Sequence, residues 1–215
     1  MNKFNYGSNC NNNSINSNCS CCRDDIKKIF TILCNDPKLG QYIDFDTFIY
    51  PFIEVPNVPL QFRGFDVCNP DLIRAIDNNV MIYLTLCNLD AFGFELIINE
   101  TADLNNFRCL LSNYLTTLPF PENNSPEECC CNNSIWNKMY NPNLNIDNEF
   151  TILTRGLEVV QNAKLIGRIG NVLAFISTLP LGGVTSYFVY FVCANSISLF
   201  SQITVPDPIP PVNVK

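Results

Sequence analysis

The sequence predicts a mainly β protein: an antiparallel β-sandwich with two or three short helices, preceded by a disordered, Cys-rich N-terminal arm. Three observations lead there. From Glu149 almost to the end the chain is strand-like, running through FTILT, VLAFISTL, TSYFVYFVC and SISLFSQITV, which are rich in β-branched and aromatic residues. Apolar residues at helical spacing occur in short stretches. Hydrophobic residues make up 47% of the 215, enough to bury a core, while charged residues reach 15%, below the roughly 25% of an ordinary soluble domain.

Residues 1–22 are polar, rich in Asn and Ser and without periodicity, so they read as a mobile arm. Ile26, Ile29, Phe30 and Leu33 then fall at helical spacing, with Asp24 and Asp25 suited to the helix N-terminus. From Asp44 the period changes to two: Phe45, Thr47 and Ile49, then Phe52 beside Pro51, read as a strand near a sheet edge. Pro56 and Pro59 punctuate the next segment, and Phe62 to Phe65 resumes an extended pattern. Asn69-Pro70-Asp71 resembles an N-cap followed by proline at the first helical position, predicting a short helix through Ile76. Val80–Cys87 and Phe92–Ile98 flank Asn88 to Ala91 and read as a β-hairpin.

Leu104, Phe107, Leu111, Tyr114 and Leu118 step by three and four, predicting another helix. Pro119, Pro121 and Pro126 open a long polar loop carrying three adjacent cysteines and the single tryptophan, Trp136. Gly170 to Thr204 holds no charged residue, but Pro180-Leu181-Gly182-Gly183 interrupts it. Two buried strands around a turn explain it better than a transmembrane helix, which needs about 20 continuous apolar residues. The organisation is therefore an arm at 1–22, a β-rich structural domain at 23–205 with a polar Cys-rich loop at 119–148, and a Pro-rich tail at 206–215.

Composition narrows the function. Net charge is −7, and no basic patch with interleaved aromatics appears, which argues against nucleic acid and against an anionic membrane. The chain has no histidine, so a Ser-His-Asp triad, a Cys-His dyad and imidazole metal ligands are excluded. No phosphate-binding or dinucleotide-binding glycine motif is present. Asp44 and Asp46 alternate on a strand and read as a solvated face rather than an acid–base pair. Asn141, Asn143, Asn145, Asp147 and Glu149 present oxygens at every second residue, but the central glycine of a calcium loop is missing. The expectation is a protein that is not an enzyme and holds no cofactor or metal.

Twelve cysteines are the most informative feature. Cys19 and Cys22 have the spacing of a four-cysteine zinc site, yet no second well-spaced pair completes it. An intramolecular disulfide framework suits small secreted domains, and a chain of this size does not need one. Adjacent cysteines bond each other poorly but can reach different neighbours. Cys10, Cys19, Cys21 and Cys22 on the arm, with Cys129, Cys130 and Cys131 in the polar loop, are therefore the candidates for disulfides between subunits. Cys87 and Cys193 lie in apolar sequence and read as buried core thiols. A monomeric ligand-binding β-sandwich and a domain stabilised by zinc on four cysteines stand as alternatives.

The start MNKFNYGSNC lacks an apolar core and a cleavage site, which predicts synthesis in a reducing cytosol. The segment from Cys19 through Arg23-Asp24-Asp25 to Ile29 resembles the cysteine-flanked helix near the start of bacterial spore coat and exosporium proteins of the CotY/CotZ type. The cysteine-bearing arm ahead of a β-domain is also similar to subunits of endospore appendage fibres. The resemblance implies a self-assembling spore-surface protein, made in the mother-cell cytoplasm. Its partners would be copies of itself and other spore-surface proteins, with disulfides locking a lattice or fibre.

Overall fold

The structure, a computed structural model, describes residues 22–49, 60–120, 132–140, 149–155, 159–181 and 184–202. It is mainly β: the described residues form ten strands in two antiparallel sheets, with short helices around them.

Helix α1 (Arg23–Asn35) forms where the spacing predicts, with Asp24 and Asp25 in its first turn and Ile26, Ile29, Phe30 and Leu33 buried. It stops at Asp36, whose backbone is extended and whose carboxylate accepts from the Lys38 and Leu39 amides to start α2 (Pro37–Gly40). Strand β1 (Ile43–Ile49) contains a bulge between Asp44 and Ile49. There the Thr47 hydroxyl donates to the Asp44 carbonyl at 2.8 Å and accepts from the Glu95 amide at 3.0 Å. The extra residue breaks the expected alternation: Phe48 is buried, and Phe45 and Ile49 lie against different cores.

Strands β2 (Gln61–Phe65), β3 (Leu72–Asp77) and β4 (Val80–Thr85) make the smaller sheet in that order. The helix expected through Ile76 is instead β3, with Ile73 and Ala75 buried at alternate positions. Asn69 does act as a cap, its side chain accepting from the Asp71 amide, but it caps a turn. The discriminating signal is Asn78-Asn79, both at positive φ (45° and 68°), a pair suited to a two-residue hairpin turn.

A 3₁₀ turn at Leu86–Asn88 leads to β5 (Ala91–Leu96). The hairpin expected between Val80–Cys87 and Phe92–Ile98 does not form. β4 pairs with β3, whereas β5 pairs with β1 and β9 in the larger sheet. Helix α3 (Thr101–Ser112) carries a capping box between Glu100 and Asp103 and buries Phe107 and Leu111. Helix α4 (Asn132–Met139) interrupts the long polar loop and buries Trp136.

The C-terminal strands are β6 (Glu149–Thr154), β7 (Val159–Ile169), β8 (Val172–Leu181), β9 (Val184–Cys193) and β10 (Ile197–Gln202). With β1 and β5 they form a sheet of order β1-β5-β9-β8-β7-β6-β10. The uncharged stretch after Gly170 is mostly the β8–β9 hairpin, paired from Val172 with Cys193 to Leu181 with Val184. Among the described residues no helix is long and apolar enough to cross a membrane.

The sheet is covered on both faces around β8 and β9, which explains the lack of charge in that hairpin. On one face Ala174, Ile176, Val189, Phe191, Phe92 and Phe94 meet α1 and the inner side of the small sheet. Phe30 joins those layers, stacking at 4.3 Å on Phe92 and 5.1 Å on Phe62. On the other face Leu173, Phe175, Phe188, Tyr190 and Val192 share a core with Trp136 and Met139 of α4. Burial pushes the Tyr190 phenol up to about 12. The Pro-rich tail, the segment around Pro51 and Phe52, and the arm before Cys22 lie outside the described residues.

Candidate functional site

The feature that best connects sequence to function is the junction where α1 begins. Cys22, directly before the helix, is disulfide-bonded to Cys193 at the end of β9, across a sequence separation of 171. Both residues are fully buried. This corrects two expectations: Cys22 bonds within its own chain, and Cys193, though in the core, is not a thiol. The physical reason is the docking of α1. Once its apolar face seats on the sheet, the residue preceding it arrives at the end of β9.

Polar contacts fix the same turn of helix from two sides. Asp25 accepts from the backbone amide of Asn171 at 2.7 Å and from its side-chain amide at 3.3 Å, in the β7–β8 turn. Gly170, at φ 55°, leaves room for this carboxylate, which a β-carbon there would strike. Burial pushes the Asp25 carboxyl above its ordinary pKa, and the Asn171 donors pull it back. Arg23 holds Asp71 through two nitrogens, Nε at 3.2 Å, and Lys27 approaches the same carboxylate at 3.6 Å. The arm thus joins the body at a cross-linked, hydrogen-bonded anchor.

A second anchor holds the segment leading into the polar loop. Arg168 is 6% exposed. Its guanidinium donates to the carbonyls of Leu118 (2.9 Å), Pro119 (2.6 Å) and Gly170 (2.7 Å). It also sits 4.2 Å from the Phe120 ring centroid and 5.7 Å from that of Trp136. Thr116 and Arg168 exchange backbone hydrogen bonds beside it. Phe120 on one side of residues 121–131 and α4 on the other therefore meet at one cation. Nothing in the sequence marks Arg168 as special, since only the fold brings these carbonyls to it.

The remaining candidates divide as follows. Cys10, Cys19, Cys21, Cys129, Cys130 and Cys131 lie outside the described residues. Cys87 is disulfide-bonded and partly buried, where a core thiol was expected, and Cys68 is disulfide-bonded too. Among the described residues, Cys34 on α1 and Cys109 on α3 are free and exposed. Their sequence context points to no role, because each sits in apolar-looking sequence. Partial desolvation by the surrounding chain pushes the thiol of the exposed Cys34 up, which leaves less thiolate for exchange. Among the described residues no cluster of three metal-ligating side chains occurs. Asp46 is paired with Arg63 at 2.9 Å and Glu149 with Lys164 at 3.5 Å; Asn141, Asn143, Asn145 and Asp147 lie outside the described residues.

Comparison with known proteins decides the family. A family described as "Spore coat protein CotA-like" matches residues 64–201, from within β2 to within β10. The chain belongs to the spore coat protein CotA-like family. It is similar to the spore coat protein CotA of Clostridioides difficile (strain 630), at 31% identity over 116 residues. That alignment covers 53% of this chain and 34% of the relative, so the chain matches about a third of the curated protein's length. No solved structure matches. A spore coat or exosporium protein is what the N-terminal resemblance implied. The family match, however, rests on the β body and leaves out the cysteine-flanked helix that carried the resemblance.

Proposed function

We propose that this spore coat protein CotA-like chain is a structural building block of the spore's outer layer. It associates with copies of itself and with other spore-surface proteins, and disulfides between subunits then fix the assembly. Synthesis in the mother-cell cytoplasm, followed by oxidation outside the living cell, fits this order of events. Each cross-link removes two protons and two electrons from a pair of thiols, with dioxygen or an oxidised low-molecular-weight disulfide as acceptor.

The observation that carries the reading is the division of labour among the cysteines. Cys22, Cys68, Cys87 and Cys193 are bonded, whereas Cys34 and Cys109 stand exposed as thiols on two helices. They join Cys10, Cys19, Cys21 and Cys129 to Cys131 as candidates for bonds to neighbours. The protein would then contribute binding surfaces and cross-links rather than catalysis.

The test is electrophoresis of the purified, oxidised protein with and without reductant, alongside negative-stain microscopy. A ladder that collapses to the 24.3 kDa chain on reduction, with ordered arrays, supports the reading. Cys34→Ser with Cys109→Ser should remove part of the ladder. Monomer in both lanes without arrays would overturn it and favour a monomeric binding module.

A further inference from the structure

The small sheet ends at β4: among the described residues, β3 is its hydrogen-bonded neighbour on one side and no strand pairs with the other. An edge strand carries a row of unpaired amides and carbonyls that templates pairing with another chain. Natural edges are commonly guarded by lysine, proline or a bulge. β4 reads Val-Met-Ile-Tyr-Leu-Thr, without charge or proline, and its register with β3 runs unbroken from Leu72 with Thr85 to Asp77 with Val80.

Its apolar side chains are also unusually open. Val80 is 62% exposed, Met81 42% and Tyr83 54%. Together with Val67 in the β2–β3 connection, the small sheet carries four of the eight exposed large hydrophobics among the described residues. A concentration on one sheet is what an interaction surface leaves and scattered exposure does not. Met81 and Tyr83 lie on the outer face, whereas Ile82 and Leu84 point towards the core shared with the large sheet, and Val80, on their face, lies open at the end of the strand.

We propose that the outer edge of β4 pairs antiparallel with β4 of a second copy of this chain. This rests on the self-association half of the reading above and names its contact. Charge argues for a second copy at this edge. Copies of net charge −7 repel one another overall, and β4 offers a contact made of six uncharged residues. Geometry agrees. A two-fold register placing Ile82 opposite the second copy's Ile82 sets Met81 against its Tyr83, and Val80 against its Leu84. Every side chain keeps its own face, as strand pairing requires. Two three-stranded sheets become one of six strands, with a Met–Tyr pair twice on the outer face. The contact is isologous and closes as a dimer, so extension into a lattice falls to other surfaces and to the cysteines.

The experiment is sedimentation velocity of the full oxidised chain over a dilution series, on material that runs as monomer in a non-reducing denaturing gel. Any dimer seen is then non-covalent, and its presence or absence is scored separately from cross-linking. Wild type should show a concentration-dependent dimer. Met81→Lys with Tyr83→Lys, at exposed positions, should lose it while keeping the circular dichroism spectrum. Leu199→Lys on β10, the edge strand of the larger sheet, should retain the dimer. Amide exchange across Val80–Thr85 should slow with concentration in wild type only. A wild-type monomer throughout would overturn the proposal, as would a dimer that survives both lysines or is lost with Leu199→Lys. A dimer appearing only after removal of residues 1–21 or 203–215 would also overturn it, because the chain's own segment would then be the occupant.

Discussion

Replacing both Cys22 and Cys193 by alanine removes the cross-link that ties the start of α1 to the end of β9, without leaving a stray thiol. The magnitude follows from the separation of 171 residues. In the chain-entropy treatment, a loop of that length loses about 17 cal/mol/K in the unfolded state, or about 5 kcal/mol at 25 °C. Cys68 and Cys87 are bonded as well, and any bridge they form inside this loop shortens it, so the expected loss is about 3–5 kcal/mol. Net stabilities of domains are about 5–15 kcal/mol, which makes this bond a large fraction of the total. Urea unfolding of oxidised wild type and the double variant measures it, and the melting midpoint should fall by roughly 6–20 °C. A loss below about 1 kcal/mol, with the native bond verified by peptide mapping, would refute the reasoning. The helix face of Ile26, Ile29, Phe30 and Leu33 would then hold α1 without help.

Two further outcomes test the anchors. Arg168→Met should cost about 2–4 kcal/mol, because the carbonyls of Leu118, Pro119 and Gly170 lose charge-assisted donors in a partly dry site. Arg168→Lys should recover little of it, since one ammonium cannot span the three carbonyls; denaturant midpoints report both. Asp71 is held below the usual carboxylate range, first by the Arg23 hydrogen bond and then by the charges of Arg23 and Lys27. A depressed folded pKa gives stability that is present above the unfolded value of about 3.9 and lost as pH falls through the folded value. The pair is a third exposed, so its worth is about 0.5 kcal/mol. Asp71→Asn should remove that small acid-side slope from a stability–pH curve and leave the remainder.

Local patterns in the sequence determined a good deal. The helical face of α1 and its acidic first turn, the periodic start of α3, and the strands described between Glu149 and Gln202 all form as the residues dictate. Each is set by short-range periodicity and by backbone preference. The twelve cysteines likewise announced disulfide chemistry, and Cys22–Cys193 is one such bond, within the chain. What failed were inferences about partners. Asn69-Pro70-Asp71 satisfies helix-start chemistry, yet burial of Ile73 and Ala75 against the large sheet makes that segment a strand. β4 and β5 are adjacent in sequence but belong to different sheets, because β5 is claimed by β9, roughly a hundred residues later in the chain.

The cysteines show the same boundary most clearly. Their number and clustering are sequence properties, but which of them bond is a property of distance in the folded chain. Cys22 meets Cys193 because α1 seats on the β8–β9 face, and Cys34 and Cys109 stay free because their helices turn them outward. Arg168 acquires three carbonyl partners only when β7 passes beneath the segment ending at Phe120. Local periodicity encodes elements through neighbouring residues, whereas disulfides, anchors and open edges are decided by surfaces that meet after collapse, where sequence separation no longer measures proximity.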